Sequence, residues 1–292
     1  MYVIGGTAST ALAERVSREL GNAPFGIPFR KRFPDGEMYL RIGGRLEGED
    51  VVVVQSTRSD EDLLELFLLE DAVRQAGARR LFVVVPYFGY ARQDRSFFPG
   101  EPVSARALCR HVELDADGVV TVDLHSPETL KGFTKPAFEV NGTSALARLL
   151  KERPVDLLVS PDKGGVERVR RMAEKLEKPW IALEKRRLDS EHVELTLPEG
   201  RTTRLEAKSV VILDDVITTG VTIVEAARLL RRERVGAIIA ACTHGLFLRD
   251  AFERIKAVTN EVYTTDTLDS PAEKASVAPD IGQVLRDHLA RA

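Results

Sequence analysis

An α/β fold built as two successive domains is what the sequence predicts, on three observations. Short β-branched or aliphatic runs recur along the 292 residues, helical patterns lie between them, and the alternation starts afresh near Thr143. The runs are Val51 to Val54, Leu81 to Val85, Val119 to Val122, Leu157 to Val159, Val210 to Leu213 and Ala237 to Ala241. They are apolar throughout rather than alternating, so each reads as a strand buried on both faces in a parallel sheet. The clearest helix follows the first run, from Ser59 to Gly77. Ser59 and Asp62 make an N-terminal capping arrangement, and Gly77 is a C-terminal stop. Along it Leu63, Leu66, Phe67 and Glu70 keep the three and four spacing of one helical face. The Gly132 to Asn141 stretch reads as a loop, so the boundary falls at about 142 and the domains are 1–142 and 143–278. A last amphipathic piece, Ile281 to Ala290, follows Pro279, and return of this 279–292 tail to the first domain is one placement open to it.

Composition narrows the function. Lys and Arg number 42 and Asp and Glu 45, a net charge of −3, which argues against a dedicated surface for nucleic acid or an anionic membrane. With 43% hydrophobic and 30% charged residues the chain fills ordinary cores and is not disordered throughout. The uncharged stretch from Val235 to Leu248 is shorter than the roughly 18 residues of a spanning helix and holds Thr243 and His244. The Met-Tyr-Val-Ile-Gly-Gly start has no basic leader or apolar core of a signal peptide, so a cytoplasmic chain is expected. Its 2 cysteines, Cys109 and Cys242, lack metal or disulfide spacing and read as buried thiols.

The strongest chemical signal runs from Val210 to Thr222. Four apolar residues lead to Asp214 and Asp215, then to a turn and a helical run from Ile223 to Leu230. A strand in this setting delivers its carboxylates to the sheet edge where α/β proteins bind ligands. Thr219, Gly220 and Thr222 fall where amides and hydroxyls at a helix N-terminus hold a phosphate. Carboxylates beside a phosphate nest suit the hydroxyls of a phosphorylated sugar and an associated Mg²⁺. The alternative is a strand whose end happens to be acidic. Elsewhere the chain has neither GxxxxGK[ST] nor GxGxxG, so a nucleotide would need side-chain cations. Arg92 and Arg95, past a buried strand and an aromatic turn, have the forked donors for phosphate; read in isolation they are a solvated loop. His125 and Asp162 each follow a strand, and Asp162 precedes a Gly pair that lets backbone come close to a ligand. Lys185, Arg186 and Arg187 read alone as a solvated face, and Phe33 to Glu37 as a Pro-Asp-Gly turn.

The Val210 to Thr222 segment resembles the phosphoribosyl diphosphate loop of type I phosphoribosyltransferases and of phosphoribosyl diphosphate synthetases. Five further stretches appear in the order found in the synthetases: Phe33 to Glu37, Pro86 to Arg95, Asp123 to Ser126, Ser160 to Gly165 and Glu184 to Arg187. The resemblance spans nearly the whole chain and implies two tandem phosphoribosyltransferase-type domains, each a mostly parallel sheet flanked by helices. It implies transfer of diphosphate from Mg-ATP to the C1 hydroxyl of ribose 5-phosphate, with Mg²⁺ as cofactor and AMP as by-product, in the cleft between the domains. By the same resemblance Phe33, Asp35, Glu37, Arg92, Gln93, Asp94 and Arg95 bind ATP, and His125 and Asp162 meet Mg²⁺. Asp214, Asp215, Thr218, Thr219, Gly220, Val221 and Thr222 hold ribose 5-phosphate, and Lys185 and Arg187 stabilise the transition state from a closing loop. Phe33 and its acids reach a neighbouring subunit's ATP, which implies a homo-oligomer, dimer or hexamer, with no nucleic acid or membrane partner.

Two positions depart from the family pattern. Thr218 stands where the synthetases commonly have Asp, and Val221 where they often have Gly, so sugar binding is the part of the pattern that differs. Ser96 to Ala105 resembles the shorter archaeal-type members. Three other activities fit parts of the sequence: a phosphoribosyltransferase, an inactive regulatory homologue, and a diphosphokinase for another pentose phosphate.

Overall fold

The computed structural model describes residues 1–187, 193–198 and 204–289. They form two compact units, one of Met1–Asn141 with Thr267–Asp269 and the chain from Ser276 onward, the other of Gly142–Asp266 with Ser270–Ala275.

In the first unit the chain runs β1 (Tyr2–Gly5), α1 (Thr10–Glu19), β2 (Phe25–Gly26), β3 (Phe29–Arg32), β4 (Met38–Arg41), β5 (Asp50–Val54), α2 (Asp60–Gln75), β6 (Arg80–Val85), α3 (Ser104–Val112), β7 (Gly118–Val122) and β8 (Ala137–Val140). Six strands make a wholly parallel sheet in the order β2-β1-β5-β6-β7-β8, while β3 and β4 form a separate antiparallel hairpin. Val51, Val53, Leu81, Val83 and Val119 from the central strands pack with Leu66, Leu69 and Val73 of α2 and with Cys109 and Val112 of α3. The α2 start is a capping box, with Ser59 accepting from the Asp62 amide at 3.1 Å and Asp62 from the Ser59 amide at 3.0 Å. Gly77 stands just past the helix at φ +82°, a conformation that costs glycine nothing.

The second unit repeats the plan with α4 (Thr143–Leu150), β9 (Leu157–Ser160), α5 (Val166–Leu176), β10 (Trp180–Ala182), β11 (Glu184–Arg187), β12 (Val193–Thr196), β13 (Ser209–Ile217), α6 (Val221–Arg232), β14 (Ala237–Gly245), α7 (Ala251–Lys256), β15 (Glu261–Thr265) and β16 (Glu273–Ala275). Its sheet is again six parallel strands, in the order β10-β9-β13-β14-β15-β16, and β11 with β12 is again a hairpin outside it. In each sheet strand order reverses beside the strand that comes first in the chain, between β1 and β5 and between β9 and β13. Such a reversal leaves a crevice at the carboxyl ends where ligands bind.

A final helix, α8 (Ala278–Leu289), belongs to the first unit. Gly282 of α8 lies so close to α1 that a Cβ there would sit 2.6 Å from Glu19 Cβ, Arg286 donates to the Glu19 carbonyl, and His288 stacks on Phe138 of β8 at 3.6 Å.

Two expectations need correction. The 132–141 stretch is not a loop throughout: β8 lies within it and pairs with β7 from Val119↔Ala137 to Val122↔Val140. As the edge strand under α8, it lacks the long apolar run of a strand buried on both faces. The run from Val210 also does not end at Leu213. β13 continues through both acids to Ile217 because β14 keeps pairing with it as far as Ile217↔Gly245.

Candidate active site

At the β9/β13 reversal of the second unit, β13 presents Asp214 half-buried and Asp215 buried, and the Asp215 amide donates to Asp214 Oδ1 at 2.9 Å. Burial, then the neighbouring Asp215 charge, pushes the Asp214 carboxyl well above the usual carboxylate range, while Arg168 of α5 works against that rise. The Arg168 guanidinium stands 3.8 Å from Asp214 Oδ1 and 3.6 Å from Asp215 Oδ2. Cys242, opposite Asp214 in register on β14, is fully buried and its thiol is pushed up by that burial.

The chain then turns through Thr218, Thr219 and Gly220. The Leu248 amide donates to the Thr218 carbonyl at 2.9 Å, and Arg254 donates to the Thr219 carbonyl. Gly220 is the N-cap of α6 at φ +72°. Val221 opens the helix without a positive φ, so its side chain is compatible with the turn, and it is 46% exposed. The first-turn N–H groups of α6 have no acceptors within the helix, which leaves an anion-binding end beside the two carboxylates. On the other side of the reversal, Asp162 Oδ1 accepts from the amides of Gly164 and Gly165 at 2.9 and 3.2 Å, and Ser160 Oγ donates to the Asp162 carbonyl at 2.7 Å. A Cβ on Gly165 would meet Ser160 Oγ at 2.6 Å, which explains the glycine there.

In the first unit the Pro86 to Arg95 segment leaves β6 in a packed turn. Gly89 donates to Thr57 Oγ1 at 2.9 Å, and a Cβ there would fall on the Thr57 carbonyl. Tyr90 takes φ +61° and its hydroxyl meets Asp60. Gln93 is half-buried and accepts from Ser104 Oγ at 2.6 Å, which fastens the loop to the start of α3 and leaves Arg92, Asp94 and Arg95 exposed. Arg95 lies over the Phe97 ring at 5.0 Å, and with Asp94 it lines a cavity of about 330 Å³ that Arg106 and Lys131 also border. His125 is exposed in the next turn, after β7. Asp123 adopts φ +38° there, and the Leu124 amide donates to Glu139 at 2.7 Å. A non-glycine residue held at positive φ beside a strand end is a site of stored backbone strain.

Phe33, Asp35 and Glu37 sit in the turn of the β3–β4 hairpin, where Asp35 Oδ1 accepts from the Glu37 amide at 3.1 Å. One hairpin face is fastened to α2: Arg30 meets the buried Glu65 at 2.8 Å and Arg32 meets Glu61 at 2.5 Å. Its other face is an aromatic and cationic ladder. Phe29 and Phe33 flank Tyr39 at 6.3 and 5.8 Å, Lys31 lies 5.1 and 5.0 Å from Phe33 and Tyr39, and Arg41 lies 5.6 Å from Phe29. Lys185 and Arg187 lie on the β11 backbone, with Lys185 opposite Leu195 and Arg187 opposite Val193. Their side chains, and the segment through His192, lie outside the described residues.

The structure thus gathers Asp162, Asp214, Asp215 and the 218–222 turn around one sheet reversal, and adds Arg168, which the sequence reading missed. Arg168 falls four residues before buried Met172 on α5, a cation in the apolar stripe, and that placement was its one sequence signal. Among the described residues no group of three or more His, Cys, Asp or Glu could by itself hold a metal. The donor set fits Mg²⁺ in the mode where one or two carboxylates share the ion with substrate phosphates and water, with Asp162 as the oxygen donor.

A family model described as the N-terminal domain of ribose phosphate pyrophosphokinase matches residues 1–114, and one described as phosphoribosyl transferase domain matches residues 132–280. A ribose-phosphate pyrophosphokinase of Methanopyrus kandleri is 41% identical, over 98% of this chain and 99% of its own. The chain belongs to the ribose-phosphate pyrophosphokinase family. Another member, from Thermoplasma acidophilum, is 34% identical over 99% of both chains. A crystal structure of phosphoribosylpyrophosphate synthetase from Mycobacterium smegmatis superposes with a TM-score of 0.85 at 26% identity, covering 100% of this chain and 99% of that one. Membership of this pyrophosphokinase family makes the chain a transferase, and among the described residues no helix is long and apolar enough to cross a membrane.

Proposed function

We propose that this pyrophosphokinase transfers the diphosphoryl group of Mg-ATP to the C1 hydroxyl of ribose 5-phosphate, releasing AMP and 5-phosphoribosyl 1-diphosphate. The observation that carries the reading is the Asp214–Asp215 pair running into the 218–222 turn and the α6 N-terminus at a sheet reversal. In this reading the turn amides and the hydroxyls of Thr218, Thr219 and Thr222 hold the sugar's 5-phosphate, with Gly220 and Val221 supplying backbone. Asp214 and Asp215 accept hydrogen bonds from its ring hydroxyls, which orients C1. Thr218 hydrogen-bonds as a neutral group, so the two carboxylates carry the sugar contacts. Arg92 and Arg95 bind the ATP phosphates with their forked guanidinium donors, and Gln93 and Asp94 complete that loop.

His125 and Asp162 meet Mg²⁺ and the phosphates it binds; when bound, the ion offsets phosphate charge. Lys185 and Arg187 neutralise charge that spreads over the nonbridging oxygens as the sugar oxygen attacks the β-phosphorus, and closure around them keeps water from ATP. Phe33, Asp35 and Glu37 serve the adenine of a neighbouring copy in a homo-oligomer, a dimer or a hexamer. The exposed aromatic ladder on the hairpin supports this, because it is a ready surface for a base or a second chain. The protein works in the cytoplasm on small phosphorylated substrates, without nucleic acid or membrane.

Phosphorus NMR of the protein with Mg-ATP and ribose 5-phosphate tests the reaction. AMP and phosphoribosyl diphosphate rising together support it. ATP left intact by folded protein overturns it and moves attention to other pentose phosphates or to a regulatory role.

A further inference from the structure

We propose that Glu61 and Glu65 of α2 are positioning residues for ATP, a two-rung latch that fixes the β3–β4 turn where Phe33, Asp35 and Glu37 meet the nucleotide. The inference rests on the assignment of those three residues to the ATP of a neighbouring copy. It starts from the two sheet reversals, which this chain treats in opposite ways. β5 holds the place in its sheet that β13 holds in the second. The turn after β13 leaves the α6 N-terminus without a side-chain cap. After β5 the chain supplies its own partners: Ser59 and Asp62 cap α2, the Ala8 amide donates to Gln55 Oε1 at 3.1 Å, and the Ser56 amide donates to Ser9 Oγ at 2.9 Å. A Cβ on Gly6 would fall on the Gln55 side chain, so the loops after β1 and β5 are stitched to each other. The crevice that a reversal offers a ligand is here a support for something else.

What it supports is the hairpin. Buried Glu65 accepts from the loop after β1, through the Thr7 amide at 2.9 Å and Thr7 Oγ1 at 2.5 Å, and from the hairpin, through Arg30 Nη1 at 2.8 Å. Four residues earlier on α2, Glu61 meets Arg32 at 2.5 Å and Arg30 at 3.5 Å. Arg32 Nη1 also donates to the Gly36 carbonyl at 2.6 Å, so this rung holds the turn itself. The hairpin pairs with neither six-stranded sheet. Leu40 and Ile42 pack against the core on its returning side, and toward the turn Arg30 and Arg32 supply the polar links to α2 found among the described residues. The register sets Arg30 opposite Leu40 and Arg32 opposite Met38, which turns both arginines to one face and leaves Phe29, Lys31 and Tyr39 on the other. Charge-assisted hydrogen bonds suit this task, because a displaced hairpin would strand the buried Glu65 carboxylate.

Three variants test this, Glu65→Gln, Glu61→Gln and Arg30→Lys, with steady-state kinetics in each substrate and a thermal melt. Glu65→Gln is expected to raise KM for ATP about tenfold or more, the worth of a charge-assisted hydrogen bond, with KM for ribose 5-phosphate within about twofold. Glu61→Gln removes a half-exposed pair and is expected to raise KM for ATP about two- to fivefold. Arg30→Lys, which keeps the charge, is expected to stay closer to the parent than Glu65→Gln does. Glu65→Gln copies co-expressed with Arg92→Ala copies under different tags are expected, as mixed oligomers at low ATP, to be more active than either variant alone. In such an oligomer an intact turn meets an intact ATP loop. A Glu65→Gln KM for ATP within about twofold of the parent, a parallel rise in both KM values, or mixed oligomers no better than the variants overturns the inference alone. Should Glu65→Gln fail to fold, Glu61→Gln decides it: an intact melt with KM for ATP raised about twofold or more and the sugar unaffected supports the latch, and unchanged kinetics overturn it. Wild-type protein that leaves both substrates unchanged overturns the functional reading and this inference with it.

Discussion

Replacing Gly220 by Ala is the sharpest way to perturb the sugar-phosphate turn without touching a polar group. Gly220 sits at φ +72°, where a Cβ is disfavoured by about 1–2 kcal/mol. The added methyl would also lie 2.8 Å from Cδ1 and 3.2 Å from Cγ1 of Ile255 and 3.5 Å from Ala251 Cβ, all on buried faces of α7. Overpacking of this sort costs about 1–3 kcal/mol, so the whole change should cost about 2–5 kcal/mol. Ile255→Val removes the atom at 2.8 Å and alone costs about 0.5–1.5 kcal/mol. In that background Gly220→Ala should cost less by about 1–2 kcal/mol, the steric share, with the backbone share remaining. The chain has one tryptophan, Trp180, in β10 of the second unit, so its fluorescence during urea unfolding reports that unit. Kinetics should show a raised KM for ribose 5-phosphate and an unchanged KM for ATP. A Gly220→Ala variant within 0.5 kcal/mol of the parent, or a strictly additive double variant, would refute the reasoning.

Three further outcomes follow from other parts of the chain. Lys185→Ala should lower kcat by orders of magnitude while nucleotide binding by calorimetry changes little; near-normal turnover would sink its assigned role. Glu70 on α2 is buried with Oε1 lacking a hydrogen-bond partner, and burial, helped by the Asp115 charge, pushes its carboxyl up to about 9 from 4.5. Its stabilising contribution is complete below pH 4.5 and is lost as pH rises toward 9, by about 1.4 kcal/mol per pH unit, because only the unfolded chain releases the proton. Glu70→Gln should therefore gain stability over the parent between pH 5 and pH 8, and parallel melting curves would contradict this. Glu65 is fully buried and accepts from the Thr7 amide at 2.9 Å, from Thr7 Oγ1 at 2.5 Å and from Arg30 at 2.8 Å. Arg30→Ala strands that carboxylate and should destabilise the first unit by about 3 kcal/mol in denaturant, and a loss below 1 kcal/mol would show that Thr7 alone satisfies it.

The parts of the fold written in apolar runs could be read directly. Val51 to Val54 or Val210 to Leu213 must be buried on both faces, and Ser59, Asp62 and Gly77 mark where α2 begins and stops. What could not be read depends on neighbours. β8 and the short outer strands β10 and β16 are too brief to show a period, and the hairpin strand Phe-Arg-Lys-Arg is nearly all charge because it packs by ion pairs to Glu61 and Glu65. The extension of β13 past Leu213 is set by β14, since Asp214 and Asp215 carry no strand signal of their own. In the candidate site, the acids and the turn from Thr218 to Thr222 stood out because their order is itself a chemical pattern. Arg168 did not, because it lies in a run of three arginines whose charge reads as a solvated face, and its spacing of four from Met172 is a faint mark until the fold turns it inward while Arg170 and Arg171 stay at the surface with Glu167.

In the proposed reaction two phosphoryl groups move together from ATP to the sugar. ATP carrying ³²P at the α, β or γ position in three parallel reactions with ribose 5-phosphate tests it most directly. Diphosphoryl transfer sends the α label into AMP and puts the β and γ labels on the sugar in equal amount. A γ label transferred alone, with the β label left in ADP, would contradict it.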